Sequence, residues 1–136
     1  MLRTRHAGRV TTSTVRVPQE ERTRAMRARL MDATVELLVE RGFSGTSTTL
    51  VSERAGVSRG AQLHHFPTKN DLVVAAVEHL TEKRGAELAE ASRRLPTGAR
   101  RTRAVLQVLG DHFTSPVFTA ALELWVAART LSLIHI

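Results

Sequence analysis

The chain contains no cysteine, which excludes disulfides, thiolate zinc sites and cysteine nucleophiles together. Aromatic residues are nearly as scarce, at 4% of the sequence, so a core must be assembled from Leu, Val and Ala, a composition that favours helices. No apolar run approaches the roughly 18 residues that a bilayer-spanning helix needs. No hydrophobic signal core follows the N-terminus either, and a cytoplasmic location is expected. There is no glycine-rich phosphate loop, no nucleophile elbow and no zinc-ligand spacing, so neither an enzyme nor a cofactor is expected. With 136 residues the chain has room for one domain, or for a small domain and part of another.

Acidic residues are under-represented in the first half. Residues 1–70 hold twelve Lys/Arg against six Asp/Glu, whereas residues 71–136 hold eight against seven, so +6 of the net +7 lies in the first half. A basic excess of this kind suits a polyanion, because neutralised phosphates release condensed counterions. The bland alternative is a solvated basic surface.

Along the chain, residues 1–19 carry Arg3, Arg5, Arg9 and Arg16 with many Ser/Thr and no acid, and read as a disordered basic arm. Such an arm could touch DNA phosphates or the minor groove; an organelle transit peptide and a misassigned start codon are alternative readings. From about Glu20 to Arg41, apolar Leu30, Ala33, Leu37 and Leu38 recur at helical spacing opposite arginines and glutamates, which predicts a first helix stopped by Gly42. Phe43 is expected to plug the core. A short helix capped by Ser47 or Thr48 carries Leu50, Val51 and Ala55 and ends at Gly56. Val57 is the turn residue, and Ser58 is a good N-cap for a second short helix reaching about His65, ahead of Pro67. Two short helices across a tight glycine turn form the helix-turn-helix, whose second member lies in the major groove.

A fourth helix is expected from Thr68 or Lys69 to about Leu95, with Leu72, Val73, Ala76, Val77, Leu80, Leu88 and Leu95 as an intermittent apolar stripe ended by Pro96 and Gly98. A fifth follows Arg100, Arg101 and Arg103, and a sixth covers residues 117–129. The last six residues, LSLIHI, break the helical pattern without a stop signal. Residues 131–136 read as a translated sequencing adapter, and the natural protein is expected to continue beyond Thr130.

The run AGVSRG, followed by HHF and then P-x-K up to Lys69, resembles the DNA-binding domain of the TetR family of transcriptional repressors at that family's own spacing. The resemblance is close over residues 22–77 and looser up to Thr130. It implies an all-α fold: a three-helix DNA-binding domain over residues 20–77, then a linking helix and the truncated start of a helical effector-binding and dimerisation domain over 78–130. It also implies a homodimer that reads an inverted-repeat operator in double-stranded DNA, represses transcription and is released by a small-molecule effector.

Within that frame Arg59, opening the second short helix, is the first candidate for base reading, since its planar fork suits guanine or a phosphate. Thr48 offers a hydroxyl and helix-start N–H groups to a phosphate. Ser58 can do the same or serve only as a cap. Gly60 permits close approach, Ala61 could offer a methyl to thymine, and Gln62 could pair with adenine. The resemblance assigns phosphate to His65, the groove edge to His64 and backbone anchoring to Lys69. Arg22, Arg24 and Arg27 are further phosphate candidates. His64 and His65 are not expected to hold metal, because adjacent helical residues diverge and no third ligand is suitably spaced. Phe113 and Trp125 are candidates for lining an effector pocket, although buried aromatics more often belong to the core.

One departure stands out. Where the family most often has Leu-Tyr, this chain has Gln62 and Leu63. Either the helix rotates to bury Leu63, or Gln62 is buried with a partner. Two other functions remain compatible with the sequence: a non-specific basic DNA-coating protein, and a protein-interaction module with a vestigial DNA head.

Overall fold

The computed structural model describes residues 18–130; the expected basic arm, apart from its last two residues, and the segment 131–136 lie outside the described residues. Among the described residues the chain forms six α-helices and no strand: α1 (Gln19–Arg41), α2 (Thr48–Ala55), α3 (Arg59–His65), α4 (Lys69–Arg93), α5 (Arg100–Phe113) and α6 (Pro116–Thr130). None of them is long and apolar enough to cross a membrane.

Local chemistry accounts for the helix ends. α1 starts one residue earlier than the sequence suggests, behind Pro18, with Glu20 and Glu21 in its first turn and Arg41 in its last, charges that complement the helix dipole. It stops at Gly42, which has φ 68°, while the Gly42 N–H still donates to the Leu38 carbonyl at 2.9 Å. In the connection that follows, Gly45 is required by space. A Cβ there would lie 2.5 Å from the carbonyl oxygen and 2.8 Å from the Cβ of Arg41. Thr46 is buried, its hydroxyl donating to the Gly42 carbonyl at 2.8 Å.

The helix-turn-helix is capped at every junction. Ser47 accepts the Leu50 N–H and Ser58 accepts the Ala61 N–H, both at 3.2 Å. Between them Gly56 adopts the left-handed conformation at φ 63°, ψ 37°. Thr68 and Asp71 form a reciprocal capping box that starts α4: the Asp71 N–H donates to the Thr68 hydroxyl at 3.1 Å, and the Thr68 N–H donates to the Asp71 carboxylate at 3.0 Å.

Leu30, Ala33 and Leu37 of α1, Val51 of α2, the turn residue Val57, Phe66 and Leu72 of α4 form one buried cluster. Burying each of the larger members is worth about 1.5–3 kcal/mol. Solvent-exposed ion pairs contribute little by comparison. The cluster, rather than the exposed pairing of Arg54 on α2 with Glu36 and Glu40 on α1, therefore holds the reading pair on its support. Phe43 is only half-buried and lies outside the cluster, beneath the ammonium of Lys69 at 4.0 Å from the ring centroid.

α4 is one continuous helix of 25 residues, so the expected division between residues 77 and 78 falls inside it. Its stripe is fully buried only at Leu72, Val73 and Ala76. Beyond them it carries α5, while α6 packs on α1 and α5, and these contacts are lighter than those of α4 with α1. Ala120 is the buried apolar residue described there, and Phe113 meets Phe118 edge-on at 5.0 Å at the α5–α6 corner.

Candidate nucleic-acid interface

α3 has two faces, and the side chains on each are set by helical spacing. Phe66 and Gln62, four residues apart, are buried, whereas Ser58, Arg59, Gly60, Leu63 and His64 are exposed. The outward set begins at the N-terminus of the helix, the end from which base edges are contacted when such a helix enters the major groove. Arg59 donates to the hydroxyl of Thr49, which brings the starts of α2 and α3 together. Thr48 is the first residue of α2 and half-buried, and its carbonyl accepts the Ser52 hydroxyl at 2.9 Å. Ser58 is exposed, and its hydroxyl caps α3. The space where a Gly60 Cβ would sit is open, with no atom of the described residues beyond the local helix backbone within 4 Å.

One candidate base reader is corrected by its surroundings. Gln62 is fully buried, with its amide donating to the Phe66 carbonyl at 2.7 Å, and cannot reach adenine. Of the two alternatives for the Gln62-Leu63 departure, the helix adopts the second: Gln62 occupies the core position and Leu63 is 45% exposed. The amide is half satisfied, because Gln62 Oε1 is buried without a hydrogen-bond partner among the described residues. Ala61 is half-buried and packs against the core cluster.

The basic residues at the other end of α3 are tied into the fold. Arg27 of α1 lies over the Phe66 ring at 4.5 Å and donates to the His65 carbonyl at 3.4 Å, stapling α1 to the end of α3. Its first role here is structural. The Lys69 ammonium donates to the Phe43 carbonyl at 2.5 Å, and partial burial lowers its pKa. An ammonium has three N–H donors, so this bond leaves capacity for a phosphate. The His65 ring stands 5.3 Å from that of His64. Its pKa is lowered, first by burial and then by the adjacent His64 and Arg27, so the protonated form that would pair best with phosphate is disfavoured in the free protein. No group of three or more His, Cys, Asp or Glu suited to a metal occurs among the described residues.

Sequence reasoning missed Thr49, the partner of Arg59, and the Arg54 clamp. Glu36 and Glu40, four apart on one face of α1, were a visible signal for a cation opposite; nothing in the local sequence singled out Thr49.

A second feature lies away from this surface. A hollow of about 320 Å³ opens between the second half of α4 and the α5–α6 corner, lined by Leu80, Arg84, Gly85, Leu88, His112 and Phe118 among others. Neither sequence-predicted pocket aromatic lines it. Phe113 is 55% and Trp125 68% exposed. Phe113 packs its edge on Phe118, which takes the lining position in its place.

Residues 30–76 match the family described as bacterial regulatory proteins, tetR family. The chain is similar to the HTH-type transcriptional regulator CymR of Pseudomonas putida, 39% identical over 114 residues that cover 81% of this chain and 54% of that protein. It is similar to an uncharacterized HTH-type transcriptional regulator of Mycobacterium bovis, 30% identical over 112 residues covering 82% and 57% respectively. The HTH-type transcriptional regulator BetI of Escherichia coli is 32% identical over 101 residues, covering 74% of this chain and 52% of its own. The chain thus spans about half the length of the curated relatives it matches. No solved structure matches it.

Proposed function

The chain belongs to the tetR family of bacterial regulatory proteins through residues 30–76, and from that premise we propose that it is the DNA-reading part of a transcriptional repressor that acts as a homodimer on an inverted repeat. The observation that carries the reading is the two-faced α3: Gln62 and Phe66 anchor it, and Arg59, Gly60 and His64 face solvent beside the capped start of α2. Arg59 reads a base edge, Thr48 and Ser58 meet phosphates at helix starts, and Lys69 and His65 hold the backbone on the far side. The net charge of +6 in residues 1–70 supplies sequence-independent attraction.

Release by a small molecule fits the same layout. α4 starts at the Thr68 cap beside the reading pair and runs past the hollow at Leu80–Leu88, so one rigid element touches both. A ligand that favours one setting of α4 shifts DNA affinity by the ratio of its affinities for the two settings.

Selection of random duplex DNA on the purified chain, at low and at moderate salt, tests the reading. An inverted repeat with half-sites about one helical turn apart is expected. Salt-sensitive binding that selects no sequence would replace this reading with that of a coating protein, and absence of any DNA affinity would reject both.

A further inference from the structure

The hollow beside α4 has a chemical character of its own. Its volume of about 320 Å³ is at the small end of the roughly 300–1,000 Å³ typical of ligand pockets. Leu80, Leu88 and Phe118 give it apolar walls, and no carboxylate lines it among the described residues. Its hydroxyls are already engaged: Thr81 donates to the Val77 carbonyl and Ser115 to the His112 carbonyl, both at 2.8 Å. The polar groups left to meet a ligand are the Arg84 guanidinium and the His112 ring. Arg84 has five N–H donors, of which one reaches Glu87 at a long 3.4 Å.

Gly85 supplies the second observation. It sits in the middle of α4, where glycine is disfavoured relative to alanine, and beyond the local helix backbone no atom of the described residues lies within 4 Å of the position of its absent Cβ. Nothing in the packing requires glycine there. What the missing side chain leaves is room in the hollow.

We propose that this hollow binds a small apolar monoanion, its carboxylate held by Arg84 and His112 and its hydrocarbon body against Leu80, Leu88 and Phe118. Charge complementarity sets the class. The Arg84 guanidinium, paired at 3.4 Å with Glu87 through one N–H, keeps donors for one negative group on a hydrophobic frame, whereas an uncharged ligand gains no charge-assisted bond from them and a dianion brings a charge with no counterpart. The inference rests on the effector role suggested above and specifies the effector's chemistry.

Calorimetric titration of the chain with 2-naphthoate and with its neutral isostere 2-naphthamide tests it. The acid is expected to bind about tenfold or more tightly than the amide, the margin of a charge-assisted hydrogen bond. Arg84→Gln, a change at a half-buried wall of the hollow, should reduce that preference to within about threefold. Gly85→Leu should abolish binding of both while melting no lower than the unchanged chain, since it removes a helix-interior glycine. Equal affinity for acid and amide, binding that survives Gly85→Leu, or no binding of the acid would each overturn the proposal. DNA affinity measured with saturating naphthoate separates the two readings. Unchanged DNA affinity would remove the effector role and leave the anion site standing, whereas failure to bind DNA without ligand would remove the regulator and leave the site untouched.

Discussion

Replacing Gln62 with leucine tests the most unusual feature of the reading helix. The side chain is fully buried, one of its amide atoms bonded to the Phe66 carbonyl at 2.7 Å and the other without a partner. Leucine forfeits that hydrogen bond, worth a net ~1 kcal/mol. It also leaves the Phe66 carbonyl as an unpaired acceptor, which exchanges for the orphaned Oε1 that disappears. Against these stands the burial of a leucine side chain, about 1.5–3 kcal/mol. The balance favours the variant by roughly 1 kcal/mol, a rise in melting temperature of roughly 2–8 °C for a chain of this size. Urea and thermal melts measure that quantity, and duplex binding on the same samples measures the other half of the argument. A residue shut inside the core reads no base, so preference among selected duplexes should be unchanged. Destabilisation beyond about 1 kcal/mol would mean that Oε1 has a partner and the amide is a net asset. Loss of preference at one adenine would mean that Gln62 reaches the groove.

Arg59→Ala should relax preference at one base position, while Lys69→Ala should weaken binding to all duplexes alike and reduce the salt slope by about one phosphate's share, ~0.9; identical behaviour of the two variants would refute their separate roles. Gly45→Ala should destabilise the fold by about 1–3 kcal/mol through overpacking, given a Cβ 2.5 Å from the Arg41 carbonyl oxygen. Gly56→Ala, with open space around it but φ 63°, should lose about 1–2 kcal/mol from conformation alone, and urea melts that rank the two otherwise would contradict the steric account. For His65 the folded-state pKa lies below the ordinary histidine value, so the unfolded chain takes up the proton first. Its contribution to stability is therefore complete above about pH 6.5 and is lost as pH falls through the depressed folded value. Melts of the His65→Gln variant should be flatter across that acid limb. DNA affinity should move the opposite way and rise on acidification, if His65 meets a phosphate.

The parts written in local chemistry were legible in the sequence. Ser58 and Gly56 announce the boundaries of α3 and α2 through a cap and a left-handed turn, and Leu30, Ala33, Leu37 and Leu38 mark the buried face of α1 by spacing alone. What the sequence could not supply depends on partners far along the chain. Gln62 looks like a groove residue until the seat beneath it is known, because helical spacing fixes which residues share its face but not which way that face points. Lys69 reads as a free anchor until Phe43, 26 residues earlier, presents its carbonyl. The hollow escaped for another reason. Aromatic residues are the visible marks of a pocket in a sequence, whereas an absent side chain at Gly85 and the spacing between helices create the space.

The two helices offered to DNA contain eight and seven residues. Segments that short do not persist as helices in water, since isolated helices below ~12–15 residues are marginal. Their order is borrowed from α1 and α4 through Val51, Val57, Phe66 and Leu72. The reading head should therefore be among the last parts of the domain to form and the first to open, exchanging its amide hydrogens ahead of the middle of α1. A duplex seated across the starts of α2 and α3 would close that opening, so operator binding should slow exchange most where the free chain is least protected.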